Sequence, residues 1–180
     1  MKLYLIRHPT PQVDAGICYG RTDLVLAEHV AAAAVRIAAQ LPPRVAVFSS
    51  PLRRCRQLAE ALHPAPRIDP RLQEMDFGEW EMTPWDRIQR EALDGWAADP
   101  LGYRPPQGES VAELQQRVWN FVAEARSNGL ERAALVTHAG VMKVIVGQAH
   151  GLPEKKWMRL AFDYESVVCL DLEPFPVGTR

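Results

Sequence analysis

Two short apolar runs, Leu3-Tyr4-Leu5-Ile6 and Ala133-Ala134-Leu135-Val136, each lead two residues later to a histidine, His8 and His138. A run of this length reads as a strand buried on both faces, most naturally in a parallel sheet. An open α/β sheet leaves its ligand crevice at the carboxyl ends of such strands. The first run brings Arg7 with His8, a cation and an imidazole that together can grip an anion and attack it. A lone Arg-His pair also fits an accident of the surface, so its meaning depends on what the rest of the chain brings to the same place.

With 180 residues and 47% hydrophobic content, the chain suits one globular domain, residues 1–180. A net charge of −1, from 21 basic and 22 acidic residues, gives no reason to expect a nucleic-acid or membrane partner, so any basic site is local. The three cysteines, Cys18, Cys55 and Cys169, have no metal-ligand spacing. Their odd number, the brevity of the first apolar run and the absence of a long apolar stretch lead to the expectation of a reduced, cytoplasmic protein.

Along the chain, 9–23 reads as a long loop in which Tyr19 and Arg21 flank Gly20, either as the rim of a pocket or as an ordinary surface turn. An alanine-rich helix is expected over 27–41, closed by Pro42-Pro43. A second buried strand, 45–48, meets Ser49-Ser50-Pro51, read as an N-cap with proline in the first turn. The following helix opens with Arg53, Arg54 and Arg56, against the helix dipole, which makes sense if an anion sits there. Solvated arginines are the alternative. A weak strand at 67–69 leads into a segment with four carboxylates, Glu74, Asp76, Glu79 and Glu81. Helices are expected over 85–96 and, from the Ser110/Glu113 capping box, over 111–127. The strand at 133–137 runs into His138-Ala139-Gly140, where a helix starts at once and Gly140 allows close backbone approach. That helix covers 141–149, a last strand covers 166–172, and the tail from Pro174 is read as loose. The order β-α-β-α-β-α-α-β-α-β predicts a three-layer α/β/α sandwich with a mostly parallel sheet.

Histidines at strand ends, arginines and a carboxylate loop suit phosphoryl transfer. Arginine binds phosphate oxygens through paired charge-assisted bonds. A neutral imidazole can attack phosphorus, a carboxylic acid can protonate the leaving oxygen, and arginines can supply the positive charge without a metal.

Five motifs in order carry a family resemblance: Leu5-Ile6-Arg7-His8, Ser49-Ser50-Pro51-Leu52-Arg53-Arg54, the segment from Leu72 to Glu81, Gln107-Gly108-Glu109-Ser110 and Val136-Thr137-His138-Ala139-Gly140. In these the chain resembles the histidine phosphatase superfamily, the phosphoglycerate mutase-like group, over nearly its whole length. It looks most like the short α-ribazole phosphatase and broad-specificity branch. The resemblance implies a phosphoglycerate mutase-like fold and His8 as the nucleophile that becomes phosphohistidine. It further implies Arg7, Arg54 and His138 as holders of the phosphoryl oxygens and Glu74 as proton donor. Asp76, Glu79 and Glu81 are then loop solvation or structural pairing.

Some positions depart from the family pattern. Pro9 replaces the usual glycine after the nucleophile and has no N–H to offer phosphate. Pro11 and Asp14 replace the usual threonine and asparagine, and Met82 stands where a glycine usually follows Trp80-Glu81. The expectation is a phosphomonoesterase that needs no metal or other cofactor. Its partner is a small phosphorylated metabolite, with α-ribazole 5′-phosphate of cobalamin assembly as the named candidate. Tyr19, Arg21, Trp80 and Gly140 are the pocket candidates, and Trp85 and Tyr103 further aromatics that either stack on substrate or pack in a core. A phosphoglycerate mutase, or a phosphate-binding regulatory protein with weak turnover, are the alternatives, and oligomeric state is left between monomer and homodimer.

Overall fold

The computed structural model describes residues 1–172; the expected loose tail lies outside them. Strands β1 (Lys2–Arg7), β2 (Ala46–Ser49), β3 (Arg67–Ile68), β4 (Arg132–Thr137) and β5 (Val167–Asp171) form one sheet in the order β3-β2-β4-β1-β5. All neighbouring pairs are parallel except β1–β5. The fold is the expected α/β sandwich. The apolar runs do not alternate with polar residues because both faces are covered. Leu3, Leu5, Phe48, Ala133 and Leu135 pack against α4 (Val111–Ser127) and α5 (Ala139–Ala149). Tyr4, Ile6, Val47, Ala134 and Val136 pack on the other side against α1 (Ala31–Ala38) and α2 (Arg53–Leu62).

Register decides the site. Arg7 lies beside Thr137, and Ser49 beside Val136. The next residues, His8, His138 and Ser50, therefore emerge side by side at the carboxyl edge of three neighbouring strands.

Several boundaries differ from the sequence expectation. The first helix begins at Ala31, not at 27, because the preceding segment is tied to the loop after β1: Pro11 bridges Leu26, and the Ala27 amide bonds to the Thr10 carbonyl. The helix expected over 85–96 is split into a 3₁₀ turn, Trp85–Arg87, and α3 (Arg90–Ala98), because Ile88 is extended and buries its side chain in a small aromatic cluster. A short helix, α6 (Glu154–Trp157), follows α5. Ser50 is not the N-cap of α2; that position is Leu52, and the Arg53 amide instead donates to the Asp23 carboxylate at 2.7 Å. The backbone start of this helix is thus capped by a carboxylate of the chain itself. The Ser110/Glu113 capping box forms as expected.

Leu135 is fully buried on β4, the middle strand of the sheet. Leu135→Ala should lower unfolding free energy by about 2–5 kcal/mol, read from the midpoint of urea denaturation. A loss below about 1 kcal/mol would mean that this layer is loosely packed.

Candidate active site

His8 is 2% exposed and fixed by its ring nitrogens. Nδ1 lies 2.7 Å from the Pro9 carbonyl, which can only accept, so Nδ1 carries the proton and donates. Nε2 is left with its lone pair and accepts from Arg54 Nε–H at 3.3 Å. Pro9 has no amide to give, but its carbonyl sets the tautomer that a nucleophilic Nε2 requires. Burial, then the Arg54 charge and, more weakly, Arg7 lower the His8 pKa from 6.5 to about 3, against the opposing Pro9 bond.

Arg54 is fully buried on the inner face of the first turn of α2, while Arg53 and Arg56 are exposed. Its Nη1 and Nη2 donate to the carbonyls of Thr22 and Gly20 at 2.7 and 2.5 Å. His138 is also fully buried, with its ring 5.1 Å from that of His8, Nε2 2.9 Å from Ser50 Oγ and 3.4 Å from Cys55 Sγ. Burial and the neighbouring Arg54, His8, Arg117 and Arg7 hold it well below the usual histidine range. Arg54 thus meets the Nε2 edge of His8, and His138 packs against its ring.

In front of His8 opens a cleft of about 270 Å³, lined among others by Arg7, Tyr19, Glu74 and Gly140. Arg7 stacks 3.8 Å over the Tyr164 ring and donates Nη1 to the Phe162 carbonyl, while its buried Nε–H has no partner among the described residues. Tyr164 also shares a 2.8 Å hydroxyl bond with Tyr19. Glu74 accepts from the amides of Met75 and Gly140 at 2.9 and 3.0 Å. A Cβ on Gly140 would lie 2.2 Å from Glu74 Oε1, so only glycine leaves room for this carboxylate at the start of α5. The backbone carrying Glu74 is held from α4, where Arg117 donates to the carbonyls of Arg71, Gln73 and Glu74 and pairs with Glu109.

Two pocket candidates lie elsewhere. Arg21 turns away to pair with Asp76 and Glu109. Trp80 is buried in the aromatic cluster, stacked on Tyr103, because Cys18 and Ile88 close over it. Asp14 is exposed in its loop. Met82 adopts φ +62, a conformation glycine takes freely, which gives the usual glycine there a reason.

Sequence reasoning missed Lys143, Phe77, Trp96, Trp157, Met158 and Tyr164. Lys143 falls one helical turn after Ala139 and Gly140, a spacing that was available as a signal. Its half-buried ammonium donates to the Met158 carbonyl at 2.9 Å; burial lowers its pKa, Glu74 opposes this and Arg7 adds to it. Phe77, Trp85 and Trp96 wall the end of the cleft, the two indoles being nearly parallel with centroids 5.9 Å apart. Among the described residues, no group of three or more His, Cys, Asp or Glu side chains is placed to hold a metal ion.

The lowered His8 value fixes the sign of a titration. The unfolded chain takes up a proton near pH 6.5, whereas folded His8 does so near 3, so this residue's burial costs stability as pH falls below 6.5. In ¹⁵N spectra His8 should remain the neutral Nδ1–H tautomer down to about pH 4.5. An imidazolium signal for His8 at pH 6 would contradict the geometry.

Comparison with known proteins identifies the family. Residues 3–175 match the model of the histidine phosphatase superfamily, branch 1. The chain is 30% identical to the adenosylcobalamin/alpha-ribazole phosphatase of Escherichia coli K12 over 87% of its own length and 83% of that protein. It is 28% identical to a probable phosphoglycerate mutase, GpmB, of Klebsiella pneumoniae, over 98% of this chain and 87% of that one. Its fold superposes on the crystal structure of TTHB049 from Thermus thermophilus with a TM-score of 0.77 and 32% identity, covering 98% and 95% of the two chains. Among the described residues, no helix is long and apolar enough to cross a membrane. Matched over residues 3–175, the chain belongs to the histidine phosphatase superfamily.

Proposed function

We propose that the chain is a cytoplasmic, metal-independent phosphomonoesterase that works through a phosphohistidine at His8. The observation that carries this reading is the imidazole itself: neutral, with Nδ1–H on the Pro9 carbonyl and the Nε2 lone pair beside two arginines.

In the first step Nε2 attacks phosphorus and the ester P–O bond breaks. The departing oxygen takes a proton from the Glu74 carboxyl. The phosphorylated ring gains positive character, which the Pro9 carbonyl at Nδ1–H stabilises. In the second step Glu74 takes a proton from water, the oxygen attacks phosphorus and the P–N bond breaks, restoring neutral His8. An arriving phosphoryl oxygen replaces the imidazole as the acceptor for Arg54 Nε–H, and Arg7 adds its charge from the cleft side.

The proposed partner is a small phosphorylated metabolite. α-Ribazole 5′-phosphate is the named candidate, supported by the name of the E. coli relative and by the Phe77, Trp85 and Trp96 wall, against which a flat base can pack. The mutase-named relative supports a second reading, exchange of phosphate between 2- and 3-phosphoglycerate with a bisphosphate primer.

Turnover should persist in EDTA across a panel of phosphate monoesters including α-ribazole 5′-phosphate and both phosphoglycerates. Loss on chelation with recovery on adding Mg²⁺ or Zn²⁺ would sink the metal-independent chemistry, and primer-dependent exchange in place of phosphate release would establish the mutase. Glu74→Gln should cut kcat/KM for alkyl phosphates by ~10²-fold or more and act much less on p-nitrophenyl phosphate, whose leaving group needs little protonation. Equal losses on both esters would make Glu74 a phosphate-positioning group instead.

A further inference from the structure

The Gly20–Thr22 segment passes between a carboxylate and a guanidinium. On one side, Glu81 accepts from the amides of Gly20, Arg21 and Thr22 at 3.0, 2.8 and 3.0 Å, and from the Thr22 hydroxyl. It also takes the Phe77 amide at 3.2 Å. On the other, Arg54 donates both terminal nitrogens to the carbonyls of the same segment. Backbone N–H groups facing one way leave carbonyls facing the other, so one carboxylate orients the acceptors that hold the arginine. There is little slack: a Cβ on Gly20 would lie 1.9 Å from the Met75 carbonyl and 2.9 Å from Glu81 Oε1.

With one N–H of each Nη bonded to this segment, Arg54 points its Nε–H at His8 Nε2. The guanidinium plane, and with it the direction in which the buried charge meets the reacting nitrogen, follows from where the Gly20 and Thr22 carbonyls sit. We propose that Glu81 is a positioning residue for the His8 chemistry, acting through the Gly20–Thr22 backbone and Arg54 without touching substrate. The proposal rests on the phosphohistidine reading for its effect on turnover and on the bond geometry alone for its effect on Arg54.

The electrostatics agree. Burial pushes the Glu81 carboxyl up, but the bonds from the Thr22 hydroxyl and the three backbone amides outweigh it and hold the group below its usual range, so it is ionised when it grips the segment. Glu81 is not among the cleft-lining residues, whereas Glu74 is, so the two carboxylates divide into one that meets substrate and one that holds the arginine.

The test compares Glu81→Ala, Glu81→Gln and Glu81→Asp, with exposed Glu79→Gln as control. It reads kcat and KM on a phosphate monoester, inorganic vanadate affinity, and the ¹⁵N titration of His8. The groups facing His8 are Arg7 on its own strand, Arg54 on α2, His138 after β4 and Tyr164 before β5. Of these, the Glu81 substitutions release Arg54.

In folded Glu81→Ala the expected results are a kcat loss of ~10²-fold, weaker vanadate binding, and a His8 midpoint raised by about one pH unit or more. Glu81→Asp, which keeps a carboxylate, should recover part of each, and Glu81→Gln should fall between. Should Glu81→Ala fail to fold, Thr22→Val, which removes only the hydroxyl bond, should shift the His8 midpoint and the vanadate affinity in the same directions by less. A folded Glu81→Ala, or in its place Thr22→Val, with an unchanged His8 midpoint and vanadate affinity overturns the proposal. Were wild type to hydrolyse no monoester, the phosphatase reading would fall, and the vanadate and His8 readouts would still decide the role of Glu81.

Discussion

The register between β1 and β4 is the constraint on which the rest of the site depends. Pairing Arg7 with Thr137 places His8 and His138 at one height on adjacent parallel strands, with Ser50 beside them from β2. A one-residue slip would turn His8 from the crevice to the opposite face of the sheet. Slippage is resisted because both faces are buried: it would also exchange the Leu3 and Leu5 layer with the Tyr4 and Ile6 layer, whose partner helices differ in size and shape. Core packing and active-site geometry are thus specified by the same alternation of side chains.

Around that pair the chain buries an unusual amount of positive charge. Arg54 is wholly inaccessible, and Arg7, Arg117 and Lys143 are partly so. Such burial is costly unless each cation has acceptors. Arg54 is satisfied by two backbone carbonyls and an imidazole, and Arg117 by three carbonyls and Glu109. Backbone carbonyls satisfy a guanidinium without neutralising it, so net positive potential survives at the place where a phosphate is proposed to sit. Burial first, and then the same potential, keeps both histidines neutral.

What the sequence made legible were features encoded within a few residues of each other. A strand end and the histidine after it are local, and so are a capping box and a helix start. The buried runs at 3–6 and 133–136 therefore announced both the sheet and its two histidines. Arg21, beside Gly20 in a long loop, and Trp80, an aromatic able to stack on substrate, looked like pocket residues, yet which way a loop side chain turns depends on distant partners: Glu109 for the first, Tyr103 and Ile88 for the second. Tyr164, Met158 and Trp96 were invisible for the converse reason. Met158 and Trp96 reach the cleft, and Tyr164 reaches Arg7 and His8, only because the chain returns there after α5 and after the aromatic cluster, and no short-range pattern records that. At the basic start of α2 the Asp23 carboxylate, thirty residues earlier in the chain, takes the Arg53 amide, a partner that no local pattern announces.

The central claim is that His8 Nε2 becomes covalently bonded to phosphorus during turnover. Its most direct measurement is rapid acid and alkaline quench of the enzyme mixed with a ³²P-labelled monoester, followed by peptide mapping. The account predicts label that is lost in acid, stable in alkali and located on the peptide containing His8, with none on His8→Ala. Label on His138, or equal labelling of His8→Ala, would contradict it.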